Sequence, residues 1–209
     1  ISMPVTKWNY QITKAAEIPD IFAKAFYIAK SGRPGPVLID ITKDAQFELF
    51  QFKYSKCEGI RSYNPLPKID ISAVDNAVEL INNAKKPFIV WGQGVLLGNA
   101  EEEFKRFVEK SGIPAAWTIL GVSALPTSHE LNVGMVGMHG NYGPNILTNE
   151  CDLLIAIGMR FDDRVTGDPK TYATQAKIIH LDIDPAEINK NIKVEVPIIG
   201  DCKAVSYTH

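Results

Sequence analysis

The chain has 209 residues, of which 45% are hydrophobic and 22% charged, an ordinary balance for a globular protein. Its formal net charge of −2 gives no electrostatic basis for binding nucleic acid or an anionic membrane, and we expect neither partner. No apolar run approaches the ~20 residues of a membrane helix, and the three cysteines suit a reducing cytoplasm, where we expect the protein to be found.

The first predicted elements are a helix and a strand. Residues 19–31 carry apolar side chains largely along one stripe, which predicts an amphipathic helix, and Gly32 supplies a stop signal. Residues 37–41 predict a short buried strand. Such a unit cannot bury both of its sides alone, and the chain starts at Ile1 without an initiator methionine. We therefore expect a fragment or a processed product whose first residues end a domain.

A linker and a larger domain are predicted to follow. Residues 45–68 have no clear period and contain two late prolines, which indicates an interdomain linker. Farther on, the spacing of Asn99 and Glu102 matches a capping box and predicts a helix that ends at Ser111. Short apolar runs alternate with helical patterns and predict strands at 88–91, 115–118, 153–157, 178–182 and 196–199. This alternation predicts an α/β fold with a doubly wound, mostly parallel sheet.

The most informative segment follows the apolar run at 153–157. It carries Arg160 and Arg164, with Asp162 and Asp163 between them. In an open α/β sheet, ligands bind just past the carboxyl ends of the strands. A planar guanidinium suits phosphate oxygens, and the two carboxylates can orient the arginines. We therefore favour a binding site here over a solvated charged turn.

Other strand ends offer glycines, a hydroxyl or acids. Residues 92–94 form a Gly-Gln-Gly turn, but Leu97 stands where the dinucleotide fingerprint has its third glycine, so a plain tight turn remains an equal alternative. Thr118 offers a hydroxyl group at the end of the next strand, although from the residues alone a simple loop is the favoured alternative there. Asp182 is placed to accept hydrogen bonds from a ribose, whereas Asp184 fits a helix N-cap better. The convergence of these groups at one sheet edge favours a nucleotide-sized ligand.

Two motifs carry a resemblance to a known family. Gly137-Met138-His139-Gly140 and the block from Gly158 to Gly167 resemble the large catalytic subunit of acetohydroxyacid synthase, also called acetolactate synthase, a transferase that depends on thiamine diphosphate. Residues 31–40, followed by Lys43 and Asp44, resemble the end of the pyrimidine-binding domain in that family. The resemblance extends over nearly the whole chain in the family's order. It implies three segments: the end of the pyrimidine-binding domain at 1–44, a linker at 45–68 and a Rossmann-like central FAD-binding domain at 69–209.

The resemblance also implies where FAD would bind, in an extended pose and with a structural role. The matching residues come from the strand ends and one upstream loop: Arg33, Gly92, Gln93, Gly94, Thr118, Ile119, Leu120, Val136, Gly137, Met138, His139, Gly158, Met159, Arg160, Asp162, Arg164, Val165, Asp182, Ile183, Asp201 and Cys202. Two of them, Gln93 and Met159, stand where the family usually has small residues, and their side chains would crowd the cofactor. Four matches belong near the family's substrate channel rather than at reacting atoms: Lys43, Met138, Asp163 and Arg164.

The implied reaction of the intact enzyme belongs to branched-chain amino acid biosynthesis. Pyruvate is decarboxylated on thiamine diphosphate, and the resulting carbanion adds to pyruvate or 2-oxobutyrate. The cofactor's activating glutamate and a Gly-Asp-Gly segment that binds its diphosphate and Mg²⁺ belong to other domains of the family. This chain contains no Gly-Asp-Gly, so we expect no catalytic residue, no metal site and no activity in the chain alone.

The expected partners are 2-oxo acids, further copies in a homodimer or larger assembly, and a small regulatory subunit. Alternatives remain open. The chain could come from another thiamine-diphosphate enzyme such as glyoxylate carboligase, or be a nucleotide-binding regulatory module without catalysis. A third alternative is an NAD-dependent deacylase, because Met138-His139-Gly140-Asn141 is superficially similar to its catalytic segment. That alternative lacks the metal-binding cysteines and the Gly-Ala-Gly segment.

Overall fold

The computed structural model describes residues 1–207 and divides into two compact units, Ile1–Leu66 and the chain from Pro67 onward. The first unit contains β1 (Trp8–Ile12), α1 (Ile18–Lys30), β2 (Val37–Ile41) and α2 (Lys43–Phe47). β1 and β2 pair in parallel, and α1 buries Ile21, Ala25 and Ile28. The predicted helix at 19–31 and strand at 37–41 are confirmed to within one residue, whereas β1 was not predicted. The predicted burial of the strand is wrong, because every second residue of β2, Leu38 and Asp40, is exposed and the others are only partly buried.

The residues around the end of α1 are fixed by hydrogen bonds within the first unit. The ammonium group of Lys7 donates to the carbonyl oxygens of Ile28 and Arg33 at 2.6 and 2.9 Å. The Tyr63 hydroxyl donates to the carbonyl oxygen of Ser31 at 3.0 Å. Part of the segment predicted as a linker therefore packs against the end of this helix.

The second unit is built from alternating strands and helices. Its elements are α3 (Ile71–Asn83), β3 (Pro87–Trp91), α4 (Gln93–Leu97), α5 (Glu101–Ser111), β4 (Ala115–Trp117), β5 (Asn132–Met135), α6 (Tyr142–Glu150), β6 (Leu153–Ile157), α7 (Asp163–Thr166), β7 (Lys177–Asp182), β8 (Val196–Ile199) and α8 (Cys202–Tyr207). Short 3-10 turns lie at Ile119–Gly121 and Pro185–Glu187. All helices within the described residues are too short or too polar to span a lipid bilayer.

The six strands of this unit form one parallel sheet in the order β5-β4-β3-β6-β7-β8. The chain moves outward from β3 to β5, returns to place β6 beside β3, and then moves outward in the other direction. This is the strand order of the Rossmann fold, and the order reverses between β3 and β6. The predicted α/β class with a doubly wound parallel sheet is confirmed. In such sheets, ligands bind at the carboxyl ends of the strands beside this reversal.

The two central strands, β3 and β6, consist of apolar residues throughout, because helices cover both faces of the sheet. Side chains alternate between the faces along a strand. Thus Ile89 and Trp91 of β3 pack in one hydrophobic cluster, and Phe88 and Val90 pack in the other. All five residues of β6 are buried, as the apolar run at 153–157 predicted.

One predicted helix start is wrong. α5 begins at Glu101 with Ala100 as its N-cap and has no side-chain cap, so Asn99 and Glu102 form no capping box. Asn99 instead has a φ of 49°, a left-handed conformation that asparagine tolerates better than most residues, and it turns the chain after α4. The predicted end is confirmed, because Ser111 closes the helix and Gly112 follows with a φ of 65°.

Candidate functional site

Three glycines meet where the strand order reverses. The amide of Gly94 donates to the carbonyl oxygen of Gly158 at 2.8 Å. A Cβ on Gly92 would lie 2.6 Å from that same oxygen, and a Cβ on Gly158 would lie 2.7 Å from the Cα of Gly94. Gly158 also has a φ of 57°, which favours glycine. The glycines predicted at these two strand ends therefore join the ends of β3 and β6 by direct backbone contact.

The turn after β4 lies beside these glycines. The amide of Thr118 donates to the carbonyl oxygen of Trp91 at 2.9 Å, and the Trp91 indole donates to the carbonyl oxygen of Gly121 at 2.8 Å. Between these anchors, Ile119 and Leu120 are 65% and 59% exposed. The turn thus presents two apolar side chains to solvent at the edge where the sequence predicts a ligand.

The loop after β5 is joined to the loop after β6. Gly137 has a φ of 101°, and the Met138 amide donates to the carbonyl oxygen of Arg164 at 2.7 Å. The side-chain amide of Asn145 pairs with both the N–H and the carbonyl oxygen of Gly137, at 2.9 and 3.0 Å. Sequence reasoning did not select Asn145, because an asparagine inside a helix carries no motif of its own. Met138 and His139 remain exposed at the loop tip.

Asp162 organises the charged block after β6. One of its carboxylate oxygens accepts the amides of Arg164 and Val165 at 3.1 and 3.3 Å and so caps α7. The other lies 3.1 Å from Nε of Arg160, whose side chain is 56% exposed. Asp162 therefore orients Arg160 while leaving its guanidinium accessible. Asp163 and Arg164 are 4.0 Å apart and both largely exposed, so that pair contributes little.

Arg164 and Met138 also meet side chain to side chain. The Nη1 atom of Arg164 lies 3.9 Å from the Sδ atom of Met138. Both residues were predicted from the resemblance to lie near the substrate channel and the flavin. The structure brings these two together, and their role toward a ligand stays a prediction.

The acids after β7 and β8 are held by nearby backbone amides. Asp182 accepts the amide of Asp184 at 2.8 Å, and Asp201 accepts the amides of Lys203 and Ala204 at 3.0 and 3.3 Å. Asp184 caps the short turn after it by accepting the Ala186 amide, as its position predicted. A ligand would therefore meet Asp182 and Asp201 in fixed orientations.

Three predicted flavin contacts differ in what their side chains offer. Met159 is only 3% exposed and packs in the hydrophobic cluster that contains Phe88 and Val90, whereas Gln93 is exposed. The Met159 side chain would therefore have to leave the core before it could crowd a cofactor. Cys202 is also buried, and burial raises the pKa of its thiol to about 12, so the thiol stays protonated.

Two predicted contacts lie in the first unit. Arg33 and Lys43 both have exposed side chains, in the loop before β2 and at the first residue of α2. Their contacts with a ligand of the second unit stay predictions. Throughout residues 1–207, no three His, Cys, Asp or Glu side chains converge in a metal-binding arrangement.

Comparison with known proteins identifies the second unit. The family described as "Thiamine pyrophosphate enzyme, central domain" matches residues 74–207, which run from α3 to α8. The chain belongs to this family. The sheet with the Rossmann strand order is thus the central domain of a thiamine pyrophosphate enzyme, as the two motifs indicated.

Full-length relatives extend the match to nearly the whole chain. The chain is 48% identical over 205 residues, 98% of its length, to the acetolactate synthase large subunit of Corynebacterium glutamicum. It is 50% identical over 207 residues to the probable acetolactate synthase large subunit of Methanococcus aeolicus, covering 97% of the chain. These matches confirm the resemblance to acetolactate synthase large subunits. The chain spans 33% and 34% of these two relatives, so it corresponds to about a third of such a protein.

Proposed function

We propose that this chain is the central part of an acetolactate synthase large subunit. In its intact form the enzyme would condense pyruvate with pyruvate or 2-oxobutyrate, in branched-chain amino acid biosynthesis. The observation that carries the proposal is identity of 48% and 50% to proteins of that name over nearly the entire chain. A cytoplasmic location, a homodimeric or larger assembly and a small regulatory subunit belong to the same proposal. The words "large subunit" in the relatives' names support the last of these.

We further propose that the central domain binds FAD at the carboxyl edge of its sheet. The groups present there fit the chemistry of this cofactor. Arg160 offers a guanidinium group for phosphate oxygens, and Ile119, Leu120 and Met138 offer exposed apolar surface for a flavin ring. Asp182 and Asp201 offer carboxylate oxygens at neighbouring strand ends for ribose hydroxyl groups.

The protein's part in this proposal is to bind and orient. Gly92, Gly94 and Gly158 pack backbone against backbone at this edge of the sheet. Because they have no side chains, they would let a ligand approach the backbone closely. Asp162 holds the Arg160 guanidinium, and the pairing of Asn145 with Gly137 holds the loop that bears Met138. FAD supplies a redox-active ring when bound, but the proposed condensation has no net oxidation, so its role would be structural.

Thiamine diphosphate and Mg²⁺ would be held by parts of the intact protein that this chain does not contain. The chain has no Gly-Asp-Gly segment, which the family resemblance assigns to that task. Thiamine diphosphate supplies the carbanion chemistry when bound, and a protein positions it against the substrate. Lys43, Met138, Asp163 and Arg164 are the residues of this chain proposed to lie near the 2-oxo acid channel.

A substrate panel on the intact protein tests this proposal. With thiamine diphosphate, Mg²⁺ and FAD present, we expect acetolactate from pyruvate and acetohydroxybutyrate from pyruvate with 2-oxobutyrate. Carboligation of glyoxylate in preference to pyruvate would instead select the glyoxylate carboligase alternative. Binding of a nucleotide without turnover of any 2-oxo acid would select the regulatory module.

A further inference from the structure

The loop that carries Arg160, defined here as the arginine loop (residues 158–162), is held by its carbonyl groups. At its start, the carbonyl oxygen of Gly158 accepts the amide of Gly94 at 2.8 Å. In its middle, the carbonyl oxygen of Arg160 accepts the amide of Asp162 at 3.0 Å. Both contacts involve backbone atoms alone. The first ties the loop to the start of α4, and the second closes a turn within the loop.

The two remaining carbonyl groups are held by side chains from other parts of the domain. The Nε2–H group of His180, in β7, donates to the carbonyl oxygen of Met159 at 2.8 Å. The side-chain amide of Asn191 donates to the carbonyl oxygen of Phe161 at 2.6 Å. Every carbonyl group from 158 to 161 therefore has a donor, and the two side-chain donors flank the residue whose guanidinium faces solvent.

The His180 imidazole is suited to act as a single fixed donor. It is fully buried, and the Phe161 ring packs edge to face against it with centroids 4.9 Å apart. The proton belongs on Nε2, because the carbonyl oxygen of Met159 can only accept, and the Nδ1 atom has no hydrogen-bond partner among the described residues. Asp182, 3.9 Å from Nε2, and Glu187 are the charged groups that face it, yet burial dominates and lowers the pKa of His180, keeping it neutral.

Hydrogen bonding to the arginine loop explains why polar residues occupy positions 180 and 191. His180 interrupts the buried apolar residues Ile178, Ile179 and Leu181 of β7, and an aliphatic residue in its place would fill the space without the cost of burying a polar ring. Asn191 is exposed and is not part of the hydrophobic core, yet its amide is aimed at the same loop. Two side chains from separate segments thus converge on the backbone on either side of Arg160.

We propose that His180 and Asn191 are positioning residues that fix the arginine loop in the conformation that presents Arg160 to a ligand phosphate. The proposal rests on the proposed FAD site, since it assigns the purpose of that conformation. It predicts that removal of either donor lets the loop move, so that Arg160 and its partner Asp162 lose their common orientation.

The test compares variants of the intact protein in two measurements, FAD affinity and amide hydrogen exchange at Gly94 and Asp162. His180→Leu removes the donor, and His180→Gln keeps an N–H group near the position of Nε2. Thr148→Val is the matched control, because the buried Thr148 hydroxyl also donates to a backbone carbonyl group, that of Pro144 at 2.9 Å, in a helix outside the arginine loop.

For His180→Leu we expect FAD affinity to fall about tenfold and exchange at both amides to accelerate by about the same factor. His180→Gln should recover most of both, and Thr148→Val should change neither beyond about twofold. A loss of stability in His180→Leu with unchanged FAD affinity and unchanged local exchange would overturn the proposal. Failure of His180→Gln to recover either quantity would do the same.

Asn191 provides a second variant that removes no core volume. Asn191→Ala should raise exchange at Asp162 and weaken FAD binding, whereas Asn83→Ala, which removes an exposed amide donor to the carbonyl oxygen of Glu79, should not. Equal effects of the two substitutions would contradict the proposal. A wild-type protein that binds no FAD would refute the proposed site, and the exchange measurement would still decide whether the two side chains hold the loop.

Discussion

The amide of Gly94 donates to the carbonyl oxygen of Gly158 over 2.8 Å, and this bond joins the first turn after β3 to the residue that follows β6. These strands lie side by side where the sheet reverses its order. No side chain separates the two backbones, since a Cβ on Gly94 would lie 2.5 Å from the Cα of Gly158. At the centre of the carboxyl edge of the sheet, where we propose that FAD binds, the two strand ends are therefore in direct backbone contact.

Replacement of Gly158 by alanine should be strongly destabilising. The residue has a φ of 57°, and its Cβ would lie within 2.9 Å of three backbone atoms of Gly94 and Val95 that cannot swing aside. We expect a loss of about 2–4 kcal/mol in the free energy of unfolding, from strain and overpacking together. Urea unfolding of the 209-residue chain measures it.

Substitutions at two other glycines distinguish the cost of backbone strain from the cost of steric crowding at Gly158. Gly112 has a φ of 65° but open space around its Cβ position, so Gly112→Ala should cost only about 1–2 kcal/mol. Gly143 lies in α6 with open space and an ordinary φ, and Gly143→Ala should be neutral or stabilising by up to about 1 kcal/mol. Equal effects at all three positions would mean that the contact with Gly94 is not tight.

Removal of the Arg160 guanidinium should weaken FAD binding without unfolding the protein. Loss of a charge-assisted hydrogen bond costs about 1.5–3 kcal/mol, so Arg160→Ala in the intact protein should bind FAD roughly ten- to a hundredfold more weakly. Arg160 is more than half exposed in its pair with Asp162, so stability should change by less than about 1 kcal/mol. Arg160→Lys should recover little, because an ammonium group cannot replace a planar fork.

The control for this prediction is Arg106→Ala, which removes an exposed arginine from α5. It should leave both FAD affinity and stability unchanged. If Arg160→Ala lowers the melting temperature while its flavin titration superimposes on that of Arg106→Ala, Arg160 serves only to pair with Asp162.

The stability of the central domain should fall below about pH 6.5, the ordinary pKa of histidine. Burial lowers the pKa of His180 in the folded chain, so the unfolded chain binds more protons over this range. Stability is then fully present above pH 6.5 and is lost as the pH falls toward the lowered pKa, with a slope of up to about 1.4 kcal/mol per pH unit. Urea midpoints of the 209-residue chain between pH 7.5 and 5.5 measure this.

His180→Gln supplies the comparison for the pH series because glutamine does not titrate. Its midpoints should be lower at neutral pH but should decline less toward pH 5.5 than those of the wild type. Parallel curves for the two proteins would assign the acid sensitivity to other groups, among which Asp182 and Glu187 lie nearest to the imidazole.

The sequence predicts well the elements whose pattern is local. The apolar run Leu153–Ile157 is long enough to specify a strand buried on both faces, and the structure places it at the centre of the sheet. β1 escaped prediction because its apolar and polar residues are mixed and it lies next to the chain start. The sheet order could not be predicted from spacing, because it depends on pairing between strands that are far apart in the chain.

Some residues of the candidate site could likewise be predicted from local sequence patterns, and others could not. Glycines and charged residues directly after strands are visible as patterns, and Gly92, Gly158 and Arg160 were predicted in this way. His180 was not, since one histidine within an apolar run is indistinguishable from an ordinary core residue. Asn191 lies in an irregular segment, and only the folded structure shows that its amide reaches the carbonyl oxygen of Phe161.

The 209-residue chain by itself should form no acetolactate, even with thiamine diphosphate, Mg²⁺ and FAD added. It contains no Gly-Asp-Gly segment to hold the thiamine cofactor, and its proposed channel residues perform no carbanion chemistry. A colorimetric assay for acetolactate, with the intact protein as the positive control, measures this. Turnover of pyruvate by the purified chain would contradict the proposed division of tasks.

The most direct test of the central claim is a flavin fluorescence titration of the intact protein beside the 209-residue chain. If the carboxyl edge of the six-stranded sheet is a flavin site, the intact protein should quench FAD fluorescence and saturate at an equimolar ratio. The isolated chain should bind far more weakly, because the neighbouring parts that would shield the ring are missing and less ligand surface is buried. Equal affinities would refute the shielding role, and an intact protein that leaves FAD fluorescence unchanged would contradict the site itself.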